Sequence, residues 1–130
     1  MIYLASPYSS PDDTIMESRF HEVARCAARL MAVGVHLFCP ITHTHPIACA
    51  GELPRGWDYW QQFDYWFISR CDALVVVRMD GWEESKGVEA EIQIAHQCGI
   101  PVLYVDSGEQ IVDQFFAQVT AAYEPKGMTA

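Results

Sequence analysis

Residues 73–79 read ALVVVRM. A short β-branched run of this kind fits a strand with apolar surroundings on both faces. That is the central strand of a parallel sheet covered by helices on each side. The flanking segments supply the covers. Residues 57–71 before it and 85–98 after it both repeat apolar positions at helical spacing. Residues 1–5 form a short apolar strand stopped by Ser6-Pro7. Residues 12–33 carry Ile15, Met16, Phe20, Val23, Ala27, Leu30 and Met31 at helical period, and Gly34 closes that helix. Residues 35–39 predict a second strand ended by Pro40. Residues 40–54, with further prolines, a glycine and two histidines, read as a long loop, and 80–84 as a short one. VLYV at 102–105 is a fourth strand and 111–123 a last helix. The alternation predicts an α/β fold: a Rossmann/flavodoxin-like three-layer α/β/α domain on a four- to five-stranded parallel sheet. One domain spans 1–124, followed by a frayed tail at 125–130. Ligands of such sheets sit beyond the carboxyl ends of the strands.

Composition narrows the function. The 130 residues are 51% hydrophobic and 19% charged, enough for one real core. A net charge of −9 argues against a nucleic-acid backbone as partner, because that needs clustered Lys and Arg. It leaves room for a single nucleotide, whose phosphate backbone N–H groups can hold. Five cysteines (Cys26, Cys39, Cys49, Cys71, Cys98), an odd number mostly in apolar stretches, fit reduced thiols of a cytoplasmic protein. The first residues lack the basic and long apolar segments of a signal peptide, and no stretch is long and apolar enough for a membrane span.

Two carboxylates break the apolar pattern. At about 100° per residue, Glu91 falls inside the stripe made by Val88, Ala95 and Cys98, whereas Glu89 falls on the wet side with Gln93 and His96. Asp64 lies in the middle of the stripe made by Trp57, Trp60, Phe67, Ile68 and Cys71. Buried carboxylates are costly unless paired, hydrogen-bonded or protonated. Two of them on consecutive helices around one strand could converge, which raises a pKa and suits acid/base or nucleophilic work. The alternative is that each caps a loop or pairs with Arg19, Arg55 or Arg78.

Three blocks, IYLASPY, DYWFISRCDALVVV and SKGVEAEIQIA, resemble in order and spacing the nucleoside 2-deoxyribosyltransferase superfamily, including its 5′-monophosphate N-glycosidase branch. Within it, the chain looks most like an uncharacterised bacterial family, and its stretch from Cys39 to Trp60 departs from the characterised enzymes. The resemblance implies Glu91 as a nucleophile at the anomeric carbon. It also implies Asp64 as the proton carrier at the leaving base and Tyr3 as the group that positions nucleophile or sugar. Ser85 matches the serine that helps hold a 5′-phosphate, where the transferases carry aspartate. The loop Ser6 to Tyr8 differs from the glycine-bearing versions of that branch. A subunit completing the site, hence a homodimer or homotetramer, is likewise implied. The chemistry agrees with general principles: an oxocarbenium-like state asks for a nearby carboxylate and an acid. A helix opening at Ser85 and Gly87 offers N–H groups to an anion. No metal or other cofactor is required.

Other residues join the expected site with plainer alternatives. Cys39, His43, His45 and Cys49 form C-x3-H-x-H-x3-C, which is not a common zinc spacing. His43 and His45 on an extended segment would share a face, and read as substrate contacts or loop hydrogen bonds. Trp82 could stack on a base or simply cover its own helix. Ser6 and Tyr8 sit on the loop after the first strand. The expected protein is therefore a nucleotide-processing enzyme acting at an N-glycosidic bond. A non-catalytic nucleotide sensor and a structural oligomer on the same fold are the rivals.

Overall fold

The computed structural model describes residues 1–54 and 56–123; the expected frayed tail at 125–130 and Arg55 lie outside the described residues. Four strands, β1 (Ile2–Ala5), β2 (Leu37–Phe38), β3 (Ala73–Val77) and β4 (Val102–Val105), make one all-parallel sheet. Their order is β2-β1-β3-β4, the start of the flavodoxin-like order. Five helices connect and follow them: α1 (Asp13–Ala32), α2 (Pro40–Gly51), α3 (Trp57–Ile68), α4 (Lys86–Cys98) and α5 (Ile111–Tyr123).

The valine run does what its composition dictates. All five residues of β3 are buried, and alternate side chains enter opposite cores because the strand period is two. Val75 and Val77 join Leu4 of β1 with Val23, Cys26 and Leu30 of α1 and with Ile111 and Phe115 of α5. Leu74 and Val76 join Tyr3 and Ala5 of β1 with Ile68 from α3 and Val88 and Ala95 from α4. The result is the three-layer α/β/α Rossmann-like fold. None of the described helices is long and apolar enough to cross a membrane.

Local signals end the helices. Asp12 caps α1, its carboxylate accepting from the Thr14 amide at 2.9 Å. Ser85 caps α4 through the Val88 amide at 3.2 Å. Gly99 closes α4 at φ 72°, where the left-handed turn lets its N–H and that of Ile100 reach carbonyls of the last turn. The outer edge of β4 is closed by side chains of α5. Gln118 accepts from the Tyr104 amide at 2.7 Å and donates to the Tyr104 carbonyl, and Gln114 accepts from the Asp106 amide at 2.6 Å.

The main departure from the sequence reading is at 40–54. The expected loop is mostly the helix α2. Pro40 stands in its first turn, where the missing N–H costs nothing. Ile41, His45 and Ala48 recur at helical spacing and are buried. Pro46 lies inside the helix, and that packing outweighs its lost hydrogen bond. The second strand is also shorter than expected, two residues instead of five.

Candidate active site

Tyr3, Asp64 and Glu91 come from β1, α3 and α4, all on the sheet face that α3 and α4 cover. Tyr3 is fully buried, Asp64 is 8% exposed and Glu91 is 5% exposed. Glu89, two residues earlier in α4, faces water. The Tyr3 hydroxyl donates to Glu91 Oε2 at 2.5 Å. Asp64 interacts with both partners. Among the described residues no arginine pairs with either carboxylate. Arg19 instead donates to the carbonyls of Tyr8 and Ser9, and Arg78 pairs with Asp106 at 2.9 Å.

The electrostatic consequence follows from this isolation. Burial pushes the Asp64 carboxyl up to about 7, against the hydrogen bonds from Tyr3 and Glu91 that favour its ionised form. Burial, reinforced by the nearby Asp64 charge, raises Glu91 well above an ordinary glutamate. Tyr3 is raised as well, first by burial and then by the two carboxylates. The pair therefore retains a proton near neutrality and titrates as a unit.

The two carboxylates of the cluster line a cavity of about 320 Å³, at the lower end of the roughly 300–1,000 Å³ typical of small-molecule sites. Glu91 and Asp64 line it together with Ser6, Tyr8, His45, Ser85 and Gly87. Tyr3 reaches it through Glu91. His43 and Trp82 are not among the lining residues. The α2 helix turns His43 away from His45, out to an exposed position with its ring stacked on Phe63, and Trp82 packs against Tyr104 on the sheet face that α3 and α4 cover. His45 and Cys49, four apart on α2, stay in contact at 3.7 Å, but no three His, Cys, Asp or Glu among the described residues are arranged to hold a metal.

Two features gain importance that the sequence reading did not give them. Trp57 and Trp60, read from the sequence only as part of an apolar stripe, line the cavity, with the Trp60 indole donating to the Pro54 carbonyl at 2.7 Å. Lys86 lines it too, the one Lys or Arg among the described lining residues. Lys86 directly follows Ser85 in the sequence, so the helix opening itself was the available signal. The Ser6 hydroxyl oxygen is buried and, alone among the described buried side-chain polar atoms, has no partner. Set on the cavity wall, this hydroxyl can hydrogen-bond to a polar group inside the cavity.

The fold defines the class, a doubly wound parallel α/β domain, with a cavity past the strand ends that Asp64 and Glu91 line as its candidate site. The chain belongs to the family described as a domain of unknown function (DUF1937), whose model matches residues 1–107. That match runs through β4 and takes in the whole cluster and cavity wall. No curated protein matches the chain.

Proposed function

We propose that the protein is a nucleotide-processing enzyme that cleaves or transfers at the N-glycosidic bond of a (deoxy)nucleoside 5′-monophosphate-like substrate. The observation that carries this reading is the buried hydrogen bond from Tyr3 to Glu91, with Asp64 beside it, opening on the cavity. Supporting it are the raised carboxyls, the orphaned Ser6 hydroxyl and the resemblance of the three sequence blocks.

In this mechanism the pair starts with one shared proton. Glu91 attacks the anomeric carbon as its carboxylate, with Tyr3 holding one of its oxygens. The positive charge that builds on the sugar favours the ionised glutamate. The glycosidic C–N bond breaks, its electron pair goes to the base, and Asp64 supplies the proton that the base takes. Water or a second base then attacks the anomeric carbon and gives its proton to Asp64, which frees Glu91. The N-terminus of α4 at Ser85, Lys86 and Gly87 suits the 5′-phosphate, since its N–H groups and dipole favour an anion. The site is set in a cytoplasmic homodimer or homotetramer. Tyr59, Tyr65 and Trp66, each about half exposed along α3, suit the subunit contact.

The test is release of free base from a panel of ribo- and deoxynucleoside 5′-monophosphates, with Glu91→Ala as control. Release by the intact protein that vanishes in the variant supports the reading. Thermal stabilisation by a nucleotide without any release favours a nucleotide sensor instead.

A further inference from the structure

Tyr8 and His45, which line the same cavity as the carboxylates, belong to a second polar constellation that the reaction does not use. The Tyr8 hydroxyl is 2.5 Å from His45 Nδ1, and His45 Nε2 is 2.8 Å from Glu17 Oε2. Three elements meet here: the loop after β1, helix α2 and helix α1. His45 is 5% exposed and its ring stacks on Phe20 at 4.4 Å between centroids. Arg19 holds the Tyr8 segment in place through the Tyr8 and Ser9 carbonyls.

The proton positions follow from the partners. A carboxylate only accepts, so the His45 nitrogen facing Glu17 must carry hydrogen. Cys49 Sγ also lies within sulfur hydrogen-bond range of this nitrogen, at 3.7 Å, but a thiol sulfur is a weak acceptor beside a carboxylate oxygen at 2.8 Å. Glu17 is held below the ordinary carboxyl value, chiefly by this hydrogen bond, so it is the acceptor here. In a neutral imidazole the other nitrogen, Nδ1, then bears a lone pair and takes the single Tyr8 hydroxyl proton. A phenol whose proton is committed in this way can only accept from anything else.

We propose that Glu17 and His45 set the polarity of Tyr8, so that this wall of the cavity selects a ligand bringing a hydrogen-bond donor, a hydroxyl or an amino group, to the Tyr8 oxygen. Tyr8 is the specificity-determining residue, and His45 and Glu17 act through it as positioning residues. The inference rests on the nucleotide reading only for its choice of ligands; the tautomer of His45 is independent of it.

Two measurements test it. Nitrogen-15 long-range spectra at pH 8 report which His45 nitrogen carries hydrogen. The expected result is hydrogen on Nε2 in the intact protein and a mixture of tautomers in Glu17→Ala. Hydrogen on Nδ1 in the intact protein overturns the proposal. The second measurement is titration calorimetry on the Glu91→Gln protein, which does not consume ligand. The sugar arm compares a ribonucleoside 5′-monophosphate with its 2′- and 3′-deoxy forms. The base arm compares GMP with IMP and AMP with purine riboside monophosphate, each pair differing by one amino group. One pair should differ by about tenfold in Kd in favour of the donor. The arm that shows the difference identifies the donor as hydroxyl or amino. Adding Tyr8→Phe should abolish that difference and leave the Kd of the donor-lacking partner within about twofold. His45→Asn, which keeps an acceptor near the Nδ1 position, should retain the preference, and His45→Phe should lose it. Equal weakening of every ligand by Tyr8→Phe overturns the proposal in favour of simple packing. Absence of binding by any nucleotide removes the nucleotide reading, and the spectra then decide on the relay alone.

Discussion

Adjacent residues of one strand live in different chemistry. Leu4 points into the core between the sheet and the α1 and α5 helices, where its buried neighbours are apolar. Tyr3, equally buried, points to the other side and donates to a carboxylate. The first side gains from each methylene it hides, about 25 cal/mol per Å² of apolar surface. The second side hides two acids without a cation among the described residues, and desolvation there costs several kcal/mol per ionised group unless a proton stays. The Tyr3 face thus sets the proposed reactive cluster inside a second apolar core of Ile68, Leu74, Val76, Val88 and Ala95, whereas the Leu4 face carries apolar packing without such acids. The β3 valines, shared between both, let the first face hold the second in place.

The comparison can be broken most severely at Glu91. Glu91→Ala should lower base release by about a thousandfold or more, as expected for loss of a nucleophile, while the protein stays folded by circular dichroism. A folded variant with undiminished release would remove the reactive face from the argument. The matching cut on the apolar side is Leu30→Ala. It should cost about 3 kcal/mol of folding stability by urea titration and leave the release rate per folded molecule nearly unchanged.

Asp64→Asn should behave in the opposite sense on stability. The Asp64 carboxyl is raised on folding, so the folded state binds its proton more tightly than the unfolded chain does. The native state thus bears no penalty below about pH 4, and stability declines as pH rises toward about 7. Asparagine removes that decline. The variant should be more stable than the parent by about 1–3 kcal/mol at pH 8, with the gain shrinking toward zero near pH 4. Thermal melts across that range check it, and a parent whose stability rises between pH 4 and 7 relative to the variant would contradict the assignment. Smallest is Tyr3→Phe, which removes one buried hydrogen bond. A change of about 1 kcal/mol in stability, with a roughly tenfold loss of release, would separate its positioning role from that of Glu91.

Much of this contrast was legible in the chain. The valine run and the two helical stripes around it give the layers, and the phase of Asp64 and Glu91 within those stripes puts both under the sheet end. Their local periodicity is strong because each stripe has a solid apolar surface to lie on. The α2 helix was not legible, because Pro40, Pro46 and Gly51 are local signals for a loop, while the burial that overrules them comes from distant parts of the chain. With α2 went the meaning of its histidines. Glu17 and His45 stand 28 positions apart, and nothing in the periodicity of either segment announces that they meet. Trp57 and Trp60 were visible as apolar positions, but an apolar stripe does not say where a core ends and a cavity begins.

The glutamines that α5 lays along β4 have a consequence for how copies of this chain can meet. The amide and carbonyl of Tyr104 and the amide of Asp106 are already occupied, so an incoming strand would find no ladder to continue there. At the opposite margin β2 is only two residues long, too little to template a partner. The sheet is thus a finished object with both borders sealed, resistant to the strand-by-strand growth that leads to fibres. The subunit contact proposed above therefore falls to the helical exterior, where geometry can settle on a closed, countable assembly.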